Sequence, residues 1–173
     1  MIDFIELPWG LLMAKTPITQ AQWREVMGTD QSHFKGDDRP VECVSWHDAL
    51  EFCSKTETRL PTEQEWEYAY RAGTNTTWYN GDDESKVGDI AFFSGNSGGT
   101  TRPVAQKQPN AWGLHDMAGN VWEWCSDQLG SYRVFRGGSW NGGASVARAA
   151  YRAYSPPDYR SSNIGFRVVK EAW

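Results

Sequence analysis

Three helix-start motifs in the first part of the chain constrain its fold more than any other feature. Thr19 can cap the segment QAQWREVM, and Gly28 supplies a residue that ends it. In a capping box, the first residue of a helix start and the residue three positions on each bind the other's backbone N–H through their side chains. The sequence has two such pairs, Ser45 with Asp48 and Thr62 with Glu65. These motifs predict three short helices: QAQWREVM, one running from Ser45 through Phe52 and Cys53, and EQEWEYAYRA, which Gly73 ends.

The rest of the chain predicts short strands and irregular backbone. In residues 75–109, Gly, Asn, Ser, Thr and Asp dominate, which is typical of turns. Alternating apolar and polar residues then indicate strands around 121–124, 133–136 and 165–169. Because the helices come first and the strands follow, this order favours an α+β fold over a parallel βαβ sheet.

Length and composition limit the class of protein. The 173 residues, of which 39% are hydrophobic and 23% charged, predict one folded domain over 1–173. A net charge of −5 argues against a nucleic-acid partner, and no apolar run is long enough for a membrane span. The start MIDFIELPWGLLMAK has no secretory signal, which favours a cytoplasmic location, although its abruptness leaves room for a larger parent protein.

The three cysteines cannot all pair with one another. A Cys43–Cys53 bridge is conceivable, but reduced thiols, with Cys125 among them, are the simpler interpretation. No C-x-x-C motif and no Cys/His cluster is present, so the sequence does not predict a structural zinc site.

Two kinds of position alternate in residues 133–169. Motif-like residues form RGGSW at 136–140 and IGFRVV at 164–169. The other positions hold chemically unrelated residues, which do not provide the fixed donors, acids or nucleophiles of a catalytic site. They suit an adaptable contact surface, because Tyr gives rigid amphipathic area while Ser and Gly give small adjustable contacts. These candidate ligand-binding residues are Phe135, Gly142, Gly143, Ser145, Val146, Tyr151, Ala153, Tyr154, Ser155, Pro156, Tyr159, Ser161 and Ser162.

Several segments, read in order, resemble one known family. MAKTPITQAQWREVMG, TRLPTEQEWEYAYRAGT, AWGLHDMAGNVWEWCSD, FRGGSW and NIGFRVV resemble the formylglycine-generating-enzyme domain, also called the sulfatase-modifying-factor domain. The resemblance implies a C-type-lectin-like α+β fold with a small antiparallel sheet, short helices and much irregular structure. It also implies a pair of cysteines after RGGSW that holds copper. The equivalent positions in this chain are at about Gly142 and Ala147, and neither is a cysteine. Because residues 133–169 contain no cysteine, we expect neither copper nor catalytic residues.

The same C-terminal segment resembles the variable region of proteins diversified by retroelements, which are prokaryotic or phage systems. In those systems, mutation at adenines changes AAC or AAT codons, and altering their first two bases never yields Lys, Glu, Gln, Met or Trp. Residues 133–169 contain none of the first four, and their only Trp is Trp140 within RGGSW. Asn141 and Asn163 then join the candidate binding residues as positions that still encode Asn.

This second resemblance implies a non-enzymatic protein that binds variable ligands, which we expect to be proteins. Two alternatives remain open: a sulfatase-modifying-factor-type oxidase or a degenerate relative of one, and an accessory domain of a larger protein. We expect the rings of Phe135, Tyr151, Tyr154 and Tyr159 to be exposed and close together, because diversification is tolerable only where side chains do not support the core. Trp140, by contrast, is expected to belong to the core.

The segment HDMAGNVWEW offers a candidate metal site. By resemblance, Asp116, Gly119, Val121 and Glu123 correspond to a calcium site of formylglycine-generating enzymes, and carboxylate and carbonyl oxygens suit calcium. The alternative is that Glu123 and the neighbouring Asn120 satisfy backbone groups of a tight turn. No cofactor is required by the binding function.

Overall fold

The computed structural model describes residues 1–173 and contains the three predicted helices. They are α1 (Gln20–Met27), α2 (Trp46–Thr56) and α3 (Glu63–Arg71). Each begins at a Thr or Ser that forms a complete capping box with the residue three positions on. Helix α1 ends at Gly28 as predicted, whereas α3 ends one residue earlier than expected, at Ala72, whose φ of 45° lies in the left-handed region. None of the helices is both long and apolar enough to cross a bilayer.

A three-stranded antiparallel sheet joins the two ends of the chain. Its strands are β1 (Phe4–Glu6), β2 (Leu11–Ala14) and β7 (Val169–Glu171), in the order β1-β2-β7. The sequence analysis did not predict β1 and β2, because they are short and β2 consists of apolar residues without alternation.

A second sheet of four strands carries most of the C-terminal segment. It contains β3 (Trp122–Leu129), β4 (Tyr132–Arg136), β5 (Arg152–Ser155) and β6 (Ile164–Gly165) in the order β5-β4-β3-β6. The pairs are antiparallel except β3 with β6, which run parallel. The single strand predicted over 165–169 is therefore wrong in part: the chain leaves this sheet after β6 and joins the other sheet at β7.

Two hydrophobic clusters fill the space between the sheets and helices. One contains Trp66 and Tyr70 of α3, and the other contains Trp23 of α1 stacked on Phe52 of α2 at 5.7 Å between ring centroids. Residues 75–109 are mostly irregular, as predicted, with one 3₁₀ helix over Glu84–Asp89. All three cysteines are free thiols. The observed architecture, with short helices, small sheets and long irregular segments, confirms the predicted α+β class.

Candidate ligand-binding site

The predicted contact residues are accessible to solvent, with one exception. Every one of the fifteen is exposed or half-buried except Phe135. The motif residues between them are buried where they belong to residues 136–139 or 164–169. The buried motif residues and the accessible candidate contact residues thus occupy different stretches of the C-terminal segment.

Phe135 corrects the expectation of exposure. Its side chain is 7% exposed, and its ring lies edge-on to Trp122 and Trp124 at centroid distances of 5.1 and 5.2 Å. The cause is the sheet register, which pairs Phe135 with Trp124 on β3, where both side chains face the second hydrophobic cluster. Phe135 therefore supports the core beneath the surface, and its ring is almost fully covered.

Two loops of the C-terminal segment, residues 133–169, touch each other at their asparagines. The Asn163 side chain donates a hydrogen bond from Nδ2 to Asn141 Oδ1 at 3.2 Å, and Ser139 Oγ donates to the same oxygen at 2.7 Å. The Trp140 indole donates from Nε1 to the carbonyl of Ser162 at 3.0 Å. Trp140 is half-buried and not a core residue, which corrects the expectation for it, and its role is to connect the two loops.

Trp122 connects these loops to Tyr151. Its backbone N–H donates to the Asn163 carbonyl at 2.8 Å, and its half-buried ring lies 6.0 Å from the Tyr151 ring. We call the surface formed by residues 141–146, Tyr151, residues 161–163 and the Trp122 ring the loop face. Sequence reasoning missed Trp122 because it lies before residues 133–169 and matches the pattern of an ordinary strand residue.

The other two tyrosines lie apart from the loop face, so the expected cluster of four rings is wrong. Successive residues of a strand point to opposite faces, and Ala153 packs against the second hydrophobic cluster, so Tyr154 points away from it. Its ring, 53% exposed, instead pairs with that of Tyr132 at 5.6 Å. Tyr159 is exposed in a turn closed by its N–H to the carbonyl of Pro156. The sequence analysis also missed Tyr132, which directly precedes the segment.

Arginines at the motif-like positions fasten the segment to the acidic helices. Arg152 donates two hydrogen bonds of 2.8 Å to Glu63 of α3, and Arg160 donates to both carboxylate oxygens of Asp48 of α2 at 2.8 and 3.0 Å. Burial is the largest single influence and acts to raise the pKa of Asp48, but the hydrogen bonds from Arg160 and Ser45 together outweigh it, so the pKa lies below its usual value. Such paired contacts fix position as well as charge, so they hold the backbone of this segment against α2 and α3.

The candidate calcium ligands surround a buried, highly polar turn. Glu123 accepts hydrogen bonds from Arg167 at 2.5 and 3.2 Å and from Trp66 Nε1 at 3.2 Å. Asp116 accepts from the Ala105 N–H at 2.8 Å. Burial raises the pKa of both carboxyl groups. Arg167 lies close enough to both carboxyl groups to act against this effect of burial.

The backbone of this turn offers further oxygen ligands. Gly119 and Val121 are buried, and their carbonyl oxygens accept no hydrogen bond from the chain. Buried carbonyls are nearly always paired with a donor or an ion. Two unpaired carbonyls beside two buried carboxylates fit a hard cation such as calcium, which takes oxygen ligands of both kinds.

The thiols of the chain do not resemble a reactive pair. Burial raises the pKa of Cys53 and of Cys43 to about 11 each, and that of Cys125 well above its usual value. At the positions where the family resemblance implies cysteines, Gly142 is half-buried and Ala147 is 1% exposed. A buried thiol with a raised pKa is a poor nucleophile and a poor ligand, because both roles need the thiolate.

Sequence comparison relates the chain to formylglycine-generating enzymes. The Sulfatase-modifying factor enzyme 1-like domain matches residues 5–172. The formylglycine-generating enzyme of Mus musculus is 35% identical over 196 residues, which cover 95% of this chain and 51% of that protein. The inactive C-alpha-formylglycine-generating enzyme 2 of Bos taurus is 33% identical over 175 residues, which cover 90% of this chain and 58% of that protein. The chain thus spans little more than half the length of these relatives.

Structural comparison relates the chain to variable proteins. Treponema denticola variable protein 1 superposes with a TM-score of 0.89 at 31% identity, covering 93% of this chain and 84% of that one. The Major Tropism Determinant U1 variant matches with a TM-score of 0.62 at 14% identity, covering 97% and 52%, which shows a shared fold only. These matches confirm the predicted C-type-lectin-like architecture. The chain belongs to the family of sulfatase-modifying factor enzyme 1-like domains.

Proposed function

We propose that this domain is a non-enzymatic binding protein whose loop face is diversified by a retroelement to recognise varied protein ligands. The observation that carries the proposal is the separation of two residue classes. The candidate contact positions face solvent, apart from Phe135, while the motif residues 136–139 and 164–169 are buried. A framework that stays constant under a changing surface is the arrangement that diversification requires.

The loop face is suited to contacts with a protein. Its small residues, Ser145, Ser162 and Gly143, allow close approach, while the rings of Tyr151 and Trp122 provide aromatic area. Binding energy at protein interfaces concentrates on such Tyr and Trp side chains, and the surrounding small residues provide complementarity. The similarity to Treponema denticola variable protein 1 over most of both chains supports this function.

An oxidase is the second candidate, because the chain is 35% identical to a formylglycine-generating enzyme. Against it stands the absence of any cysteine from residues 133–169, where the family resemblance places the copper-holding pair. Copper binding and conversion of a cysteine peptide to formylglycine, measured on the purified protein, discriminate the two functions. Copper-dependent turnover would overturn the binding proposal.

A calcium ion is proposed as a structural component of the domain. Asp116 and Glu123 would hold it with their carboxylates, and Gly119 and Val121 with their carbonyl oxygens. The ion would bind the two carboxylates together with the two carbonyl oxygens that accept no hydrogen bond from the chain. It would not contact the ligand, since the residues that hold it are buried.

A display experiment tests the binding function. One library varies Asn141, Ser145, Tyr151, Ser162 and Asn163 over the residues reachable from Asn codons, and a purified test protein such as lysozyme is the probe. A matched library varies five exposed or partly exposed positions on the helical side: Glu25, Glu51, Ser54, Lys55 and Glu57. The proposal expects specific binders from the first library and few from the second; similar yields from both would contradict it.

The genome provides an independent test of diversification. A template repeat that matches the coding sequence of 133–169 except at adenines, beside a reverse-transcriptase gene, is expected near the gene for this protein. Absence of both would refute diversification by a retroelement, while a ligand-binding role could still be tested by display.

A further inference from the structure

The candidate calcium turn is hydrogen-bonded directly to the loop face and to the residues that carry it. The Gly119 N–H donates to the Gly137 carbonyl at 2.7 Å, at the start of the RGGSW motif. The Trp140 N–H donates to the Asn120 carbonyl at 2.9 Å. Together with the bond from Trp122 N–H to the Asn163 carbonyl, these contacts connect residues 119–122 to the base of both variable loops.

Consecutive carbonyl groups of this turn differ in their partners. The Asn120 carbonyl accepts from the Trp140 N–H, whereas those of Gly119 and Val121, on either side of it, accept no hydrogen bond from the chain. A cation that bound the Gly119 and Val121 carbonyls would therefore hold the two peptide groups next to the one that binds Trp140.

The backbone of the turn is held in an unusual conformation. Asp116, Gly119 and Asn120 have φ values of 58°, 76° and 67°, in the left-handed region. The turn is also crowded, because a Cβ at Gly119 would lie 2.3 Å from the Phe92 carbonyl oxygen. Left-handed residues persist where surrounding contacts determine them, and two of the four candidate ligand groups, the unpaired carbonyls, lack such contacts.

We propose that Asp116, Gly119, Val121 and Glu123, when they hold calcium, fix the base of the loop face and thereby tune ligand binding from beneath it. The effect on ligand affinity rests on the proposed function, whereas the effect on loop order does not. Order is transmitted through the Asn120–Trp140, Gly119–Gly137 and Trp122–Asn163 hydrogen bonds. Hydrogen exchange at these amides requires local opening of the turn. A cation that binds only the intact turn lowers the fraction of molecules in which the turn is open by a factor of 1 + [Ca²⁺]/Kd, which is about elevenfold at ten times Kd.

Hydrogen exchange with mass spectrometry tests this coupling without any ligand. The purified protein is compared in calcium chloride, in magnesium chloride and with EGTA. Calcium is expected to slow exchange about tenfold in peptides covering 116–123, 137–141 and 161–164. Exchange in α1 serves as the internal reference, and magnesium should have little effect because it demands a tighter octahedral site.

Two variants with the same chemical change provide the matched control. Asp116→Ala removes the side-chain oxygens of a buried candidate ligand, whereas Asp158→Ala changes an exposed residue of the C-terminal segment. The calcium response should disappear in the first and persist in the second. If Asp116→Ala does not fold, the comparison of calcium, magnesium and EGTA on the parent protein still decides the question.

Each outcome has a defined meaning. Protection of all three segments by calcium supports the proposal. Protection confined to 116–123 shows binding without coupling and overturns it, as does the absence of any calcium effect on exchange or on melting temperature. Neither negative result touches the proposed ligand binding, which the display libraries test separately.

Discussion

Replacing Phe135 by Ala should destabilise the domain strongly, although the sequence analysis placed this residue among the candidate binding residues. The ring is 7% exposed and lies edge-on to Trp122 and Trp124. Truncation of a buried Phe costs about 3–5 kcal/mol, because transfer free energy is lost and a cavity remains. For a domain of this size, that loss lowers the melting temperature by about 6–20 °C.

Tyr154→Ala is the matched control for this experiment. Tyr154 is also an aromatic residue reachable from an Asn codon, and it lies on the neighbouring strand β5, but its side chain is 53% exposed. Its main contact is the Tyr132 ring, and a cross-strand aromatic pair is worth about 1 kcal/mol or less. Urea unfolding followed by circular dichroism gives both free energies. A loss for Phe135→Ala no larger than that for Tyr154→Ala would refute the assignment of Phe135 to the core.

Three further predictions concern the ion pairs and the loop face. Arg167→Met should cost about 3–5 kcal/mol in urea unfolding, because it leaves Glu123 buried without its charge partner; a near-zero cost would show that the pair is not formed. The pKa of Asp48 is lower in the folded state than in the unfolded state. The ionised carboxylate therefore stabilises the fold at pH values above the unfolded-state pKa, and this stabilisation is lost as the pH falls through the folded-state pKa. The stability difference between the parent and Asp48→Asn should therefore shrink below about pH 4, and a difference independent of pH would contradict the pairing with Arg160. Trp122→Ala should weaken a ligand selected on the parent loop face by about 2 kcal/mol or more in calorimetry, provided that the variant keeps its melting transition; an unchanged Kd would remove Trp122 from the contact surface.

The helices were predictable because their signals are local. Each capping box involves residues only three positions apart, so the start of α1, α2 and α3 can be found in the sequence without knowledge of the fold. The end of α3 was misplaced by one residue because Ala72 adopts a left-handed conformation that the adjacent Gly73 adopts more easily.

The strands were predictable only in part, because pairing partners lie far apart in the chain. The pattern located β3 and β4, but it missed the sheet that joins β1 and β2 to β7, and it merged β6 with β7. Three to five residues of alternation do not reveal where a chain leaves one sheet for another. That change of partner depends on contacts with distant backbone, such as the bond from the Ile18 N–H to the Phe166 carbonyl.

The sequence by itself separated the motif segments of the C-terminal part from most of the accessible positions. The motifs are local in the chain, so RGGS at 136–139 and IGFRVV at 164–169 could be recognised without the fold, and both are buried. Only the tertiary structure decided which accessible residues share a surface. The sheet register places the Phe135 side chain on the core side of the sheet and the Tyr154 ring on the opposite side, away from Tyr151. The face that a strand residue occupies depends on its partner strand and on what packs against the sheet.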